Sequence, residues 1–187
     1  SLPAVEKAAT KVFKRLKYPF PAISREDDLR KILMVDMKLN TFQRLRLVKG
    51  MKKEITLLRE YIQVFAGMRE LLTQLSQKTK VIILSSNSEQ AINSLLQKHH
   101  FPTSIEIISD SSLFGKDGVL KRVLKNHQLT PREVVYIGDE VRDVVACNRV
   151  NIPILTVTWG YNSEKALRKA GSEHMIREPE EILKFVE

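Results

Sequence analysis

Leu2, Val5, Ala8, Ala9, Val12, Phe13 and Leu16 recur every three or four residues with charged residues between them. That spacing predicts an amphipathic helix, and Pro3 suits its first turn. Tyr18-Pro19-Phe20-Pro21 breaks it. Ser24 followed by Asp27 signals a second helix through Leu29, Ile32 and Leu33. Asn40 to Gln43 signals a third, running through Leu45, Val48, Ile55, Leu58 and Ile62. Nothing in residues 1–65 alternates like a strand, so this stretch reads as all-α.

From about Phe65 the pattern changes. Gly67 precedes a short helix (Met68, Leu71, Leu72, Leu75), and residues 81–84 form an apolar strand running into Ser85-Ser86-Asn87-Ser88. A helix with Ala91, Ile92, Leu95 and Leu96 comes next, then a strand at 105–108, a polar loop over 109–117 and a helix near 119–124. Val134-Val135-Tyr136-Ile137 predicts a strand, Gly138 a sharp turn, and Val144, Val145, Ala146, Cys147 and Val150 a helix beginning at about Glu140. A strand at 154–157, a helix around 164–170, a short edge strand near Met175 and Ile176 and a last helix from Pro179 complete the chain. Strands alternating with helices predict an α/β fold, a Rossmann-like parallel sheet with helices on both faces.

Composition changes this picture little. The 187 residues are 43% hydrophobic and 28% charged, ordinary for a globular protein, and long enough for one core or for one core plus a small subdomain. No apolar run approaches the roughly 20 residues that span a bilayer, and no basic-then-apolar leader opens the sequence. The one cysteine, Cys147, suits a small buried apolar position. A cytoplasmic protein with no membrane partner is the expectation. The net charge of +9 is uneven: residues 1–70 carry 16 Lys and Arg against 8 Asp and Glu, residues 71–187 carry 15 against 14. The basic residues are spread along helices without tight clusters or interleaved aromatics, so a solvated face is expected and a nucleic-acid partner is not.

Three βα junctions carry candidate chemistry. Ser85, Ser86 and Asn87 leave a strand just before a helix, where hydroxyls and backbone N–H groups converge on an anion. Lys116, in Phe114-Gly115-Lys116-Asp117-Gly118, stands before the next helix, where an ammonium neutralises phosphate and holds carboxylates together. Asp139 and Asp143 are four apart in Gly138-Asp139-Glu140-Val141-Arg142-Asp143, at a strand's carboxyl end. Carboxylates held there attract a hard cation such as Mg²⁺, which brings phosphate with it. His99 and His100 lack partners at metal spacing, His127 and His174 belong to no constellation, and Trp159 and Tyr161 are expected to pack at a strand end.

The order serine, lysine, paired aspartates at successive βα junctions resembles the haloacid dehalogenase superfamily, in particular its phosphoglycolate-phosphatase-like branch. Phe65-Ala66-Gly67-Met68 and Val157-Thr158-Trp159-Gly160-Tyr161 resemble further positions of that branch. The resemblance implies a core over residues 66–187 and a small helical cap over residues 1–65. It implies a Mg²⁺-dependent phosphatase for a small phosphorylated metabolite: Asp139 as metal ligand, Asp143 supporting the metal shell and pairing with Lys116, Ser85 binding the phosphoryl group and Lys116 offsetting its charge. Ser86 is the alternative to Ser85. Asp117 follows the lysine where the branch commonly has proline.

One motif is absent. The branch's nucleophile is the first aspartate of an Asp-x-Asp-Gly-Thr stretch ending a central first strand, and these residues hold no Asp-x-Asp. The nearest imitation, around Asp36, lacks the second carboxylate. Ser1-Leu2-Pro3 resembles a segment just downstream of that motif, so the expectation is a nucleophile upstream and no turnover by these 187 residues alone. The sheet should then close up, keep a gap between the strands ending at Ser85 and Gly138, or borrow a strand. The alternative is a non-catalytic protein of the same fold, binding or regulatory in role.

Overall fold

The computed structural model describes residues 2–21, 24–27, 32, 37–57, 64–109 and 115–186. Helix α1 (Leu2–Leu16) forms as its spacing predicts and buries Ala8, Ala9, Val12 and Phe13. Helix α2 (Thr41–Leu57) opens on reciprocal caps: the Asn40 N–H donates to Gln43 Oε1 and the Gln43 N–H to Asn40 Oδ1, both at 2.9 Å. Its buried side differs from expectation. Leu47 and Glu54 face α1, while Leu45 is exposed. Two contacts favour that side: Leu47 packs in the cluster of Val12 and Phe13, and Glu54 pairs with Lys11 at 2.8 Å and Arg15 at 2.9 Å, both on α1. Ser24 and Asp27 form the expected turn, with the Ser24 N–H donating to Asp27 Oδ2 at 2.8 Å. The helix expected beyond it, through Leu29 and Leu33, and the continuation of α2 through Leu58 and Ile62 lie outside the described residues, as does Asp36.

The α/β part follows in the expected order: α3 (Met68–Lys78), β1 (Ile82–Ser85), α4 (Glu89–Lys98), β2 (Glu106–Ser109), α5 (Lys116–His127), β3 (Tyr136–Gly138), α6 (Val141–Val150), β4 (Ile154–Val157), α7 (Glu164–Lys169) and β5 (His174–Ile176). The segment from Pro179 to Phe185 is a 3₁₀ helix. Helix α5 begins at Lys116 itself, earlier than the sequence predicts, so the lysine lies in the helix's first turn. No helix among the described residues is long and apolar enough to cross a membrane.

All strand pairs are parallel, but they form two ladders, β1–β2 and β3–β4–β5. The layers join the ladders. On one face Met68, Leu72 and Val81 pack both into the cluster of Leu71, Leu155 and Ile176 and into that of Ile92, Leu96 and Ile105. On the other, Leu84 of β1 packs with Leu120, Val144 and Ile154. The ladders are thus two parts of one α/β unit, with β1 and β3 unpaired to each other among the described residues. Burial marks the break: β4 is buried at every position, β1 is only half-buried throughout, and Ile137 of β3 keeps 39% exposure.

Candidate active site

Strand β3 ends where its backbone must turn tightly. A Cβ on Gly138 would fall 2.8 Å from Asp143 Oδ2, so this position has no room for a side chain. Asp143 lies on the first turn of α6 and is 2% exposed. One of its oxygens takes the Lys116 ammonium in a short ion pair, and the other accepts the Glu140 N–H at 3.3 Å. The ammonium also donates to Tyr136 Oη at 3.2 Å. Burial, reinforced by the Asp143 charge, pushes the Tyr136 phenol above its ordinary range, so it stays a neutral acceptor. The same two causes push the Cys147 thiol up to about 12, which makes it the inert packing residue its setting predicts.

Asp139 is half-buried. Its Oδ2 accepts the Tyr161 N–H at 2.8 Å and its carbonyl the Asn162 N–H at 3.0 Å. The loop after β4 reaches it because residue 160 is glycine: a Cβ there would sit 2.0 Å from that of Asp139. Glu140, beside it, is bound by Arg142 at 2.7 Å, yet burial still raises its carboxyl above the usual range.

Ser85 ends β1, across the break from Gly138. Its hydroxyl accepts the Asn87 N–H at 3.2 Å and so keeps its own proton to donate, while the Asn87 carbonyl accepts from Ser109 at 2.6 Å. Ser86 is exposed, and Ser88 is the N-cap of α4. The fold therefore joins Lys116 directly to Asp143, sets Asp139 four residues before it at the same turn, and leaves the serines on the other ladder. Three of the weaker candidates are occupied elsewhere: Trp159 stacks on Phe65 at 4.9 Å, His127 bridges to Glu106 at 3.3 Å, and His174 meets Phe185 edge-on. Among the described residues no three or more His, Cys, Asp or Glu converge to hold a metal ion.

Sequence reasoning passed over Tyr136, Asn162 and Arg25. Tyr136 reads as one more apolar strand residue. Asn162 follows Trp159-Gly160-Tyr161, and the polar residue after that aromatic and glycine run was the available signal.

A family model described as "Haloacid dehalogenase-like hydrolase" matches residues 4–157. The phosphoglycolate phosphatase of Synechococcus elongatus is 29% identical over 150 residues, covering 79% of this chain and 71% of that protein. Among solved structures, a hydrolase from Pseudomonas syringae superposes with a TM-score of 0.81 at 20% identity, over 98% of this chain and 90% of the other. A predicted phosphatase from Clostridium acetobutylicum gives 0.80 at 17% identity, with the same coverage of 98% and 90%. A haloacid dehalogenase-like family protein from Streptococcus pneumoniae gives 0.77 at 22%, again covering 98% and 90%.

Proposed function

The chain belongs to the haloacid dehalogenase-like hydrolase family, and from that membership we propose a Mg²⁺-dependent phosphatase for a small phosphomonoester of the phosphoglycolate type. The observation that carries this reading is the Lys116–Asp143 ion pair, seated on Tyr136 one turn from Asp139. An ammonium has three N–H donors. Asp143 and Tyr136 take two, and the third is left for a phosphoryl oxygen. Ser85, with its proton unspent, is the second donor to that group, and Ser86 and Asn87 line its approach. Residues 1–65 act as the helical cap that excludes water over a core of residues 66–187.

The carboxylates suit Mg²⁺ unequally. Asp139 Oδ1 accepts no hydrogen bond among the described residues, whereas both oxygens of Asp143 are engaged. One free hard oxygen fits an ion that keeps several waters and is held by one or two carboxylates plus phosphate. Asp139 is accordingly the direct ligand, and Asp143 acts on the metal shell by fixing the turn and Lys116. The bound ion would neutralise phosphoryl charge.

The attacking group is the remaining part. None of the aspartates stands in an Asp-x-Asp pair, and none replaces the carboxylate that becomes the aspartyl phosphate in this family. The unpaired edges of β1, half-buried throughout, and of β3, whose Ile137 keeps 39% exposure, suit a parallel strand carrying that carboxylate. The test is hydrolysis of p-nitrophenyl phosphate with Mg²⁺. The 187 residues alone are expected to show no turnover. The same chain extended at its N-terminus by an Asp-x-Asp-Gly-Thr strand is expected to turn over, and to lose at least about a hundredfold in rate on Lys116→Ala, as an electrostatic contact to the reacting group would. Turnover by the unextended chain overturns the missing-nucleophile part. No turnover by the extended, folded chain favours the non-catalytic reading.

A further inference from the structure

Segment 24–27, between α1 and α2, is fastened to the loop after β4 by contacts that converge on one side chain. Asn162 is 1% exposed. Its Nδ2 donates to the Arg25 and Asp27 carbonyls, each at 2.9 Å, and its Oδ1 accepts the Val141 N–H at 2.9 Å. Val141 is the first residue of α6, so this bond satisfies a helix-start donor that the backbone leaves unpaired. Around it, the Arg25 guanidinium donates to the carbonyls of Gly160 at 3.0 Å, Tyr161 at 3.1 Å and Thr158 at 3.2 Å. The Ser163 N–H donates to the Arg25 carbonyl at 2.9 Å, and the Ser163 hydroxyl to Glu26. The loop held in this way is the one whose Tyr161 N–H fixes Asp139 Oδ2.

We propose that Asn162 is a positioning residue that couples segment 24–27 to the orientation of the Asp139 carboxylate. Arg25 is its outer clamp. Asp139 is held through a backbone N–H, and that N–H stays aimed only while the loop keeps its path. Of the six described bonds that the Arg25 and Asn162 side chains make between segment 24–27 and this loop, four come from the exposed Arg25 and two from Asn162 Nδ2, whose side chain is the buried one. Movement of the N-terminal part therefore reaches Asp139 directly, without passing through the core. This deepens the phosphatase reading, since it rests on Asp139 as a site carboxylate.

The test uses the 187-residue chain without metal or phosphate, so a failure of the phosphatase assay leaves its result standing. Asn162→Asp keeps an acceptor for the Val141 N–H, removes both Nδ2 donors and turns a carboxylate toward two carbonyl oxygens. Arg25→Ala, at an exposed side chain, carries the test if the first variant does not fold. The ¹³Cγ signals of Asp139 and Asp143 and the Tyr161 amide are read by NMR at a pH where both carboxylates are ionised. The expected result is a shifted Asp139 ¹³Cγ and Tyr161 amide, exchange of the Tyr161 and Asn162 amides faster by about tenfold or more, and an unmoved Asp143. An Asp139 signal that stays in place in a folded variant overturns the proposal. So does an equal shift of both aspartates, which reports general loosening, or unchanged exchange in the loop.

Discussion

Lys116 and Asp143 form a pair in which one partner has no solvent to fall back on: the Asp143 side chain is 2% exposed and that of Lys116 24%. Removing the lysine leaves a buried charge uncompensated, which costs about 3–5 kcal/mol for a fully buried pair. Lys116→Met should fall near the lower end, about 3 kcal/mol, because the lysine is partly solvated. Lys116→Met with Asp143→Leu should recover much of that loss, since an apolar pair leaves no charge stranded. Urea unfolding of the two variants measures both, and equal destabilisation by the single and double changes would contradict the account. The pairing was an implication of the family resemblance carried by the lysine and aspartates at successive βα junctions, and residue types alone did not name the partner. The role of Tyr136 was not legible in the sequence, because strand periodicity assigns it to the apolar face and only the third dimension brings its hydroxyl to the ammonium.

At the scale of elements, α1 and α2 are joined by the apolar cluster of Val12, Phe13 and Leu47 and by a buried Glu54 that pairs with Lys11 and Arg15. Hydrogen bonding from Lys11, opposed by partial burial and aided by Arg15, holds the Glu54 carboxyl below the ordinary glutamate value of 4.5. A carboxyl whose folded pKa is lowered stabilises the fold fully above its unfolded value and loses that contribution as the pH falls through the folded one. Wild type should therefore lose stability below about pH 4.5 more steeply than Glu54→Gln, as urea midpoints across that range would record. The same contact shows why the sequence misplaced the buried stripe of α2. Leu45 and Val48 match helical spacing as well as Leu47 does, and periodicity alone cannot say which face meets a neighbour. The seat of Leu47 among Val12 and Phe13, together with the Glu54 pairs, selects that face.

Across the whole molecule, the break between β1 and β3 has a direct consequence for exchange. Strand β4 is paired on both sides and buried at every position, whereas β1 and β3 each have one edge without a ladder partner among the described residues. Amide hydrogen exchange should therefore be slow throughout β4 and fast at the edge N–H groups of β1 and β3. In the chain extended by an Asp-x-Asp strand, those edge amides should become protected. Equal protection of β1, β3 and β4 in the 187 residues would show that the edges are closed by other means.

The amino-acid sequence by itself determined the order and kind of the elements, because apolar spacing of two or of three to four is a property of neighbours along the chain. It also determined which residue types stand at the βα junctions: Ser85, Lys116, Asp139 and Asp143. Tertiary structure alone decided what those residues touch. The lysine's second partner, the loop made possible by Gly160 and the hold of Asn162 on segment 24–27 each join residues far apart in sequence, and local periodicity carries no record of such contacts. The division of the parallel strands into two ladders belongs to the same class, since strand pairing is settled by what lies beside each edge and not by the strand's own residues.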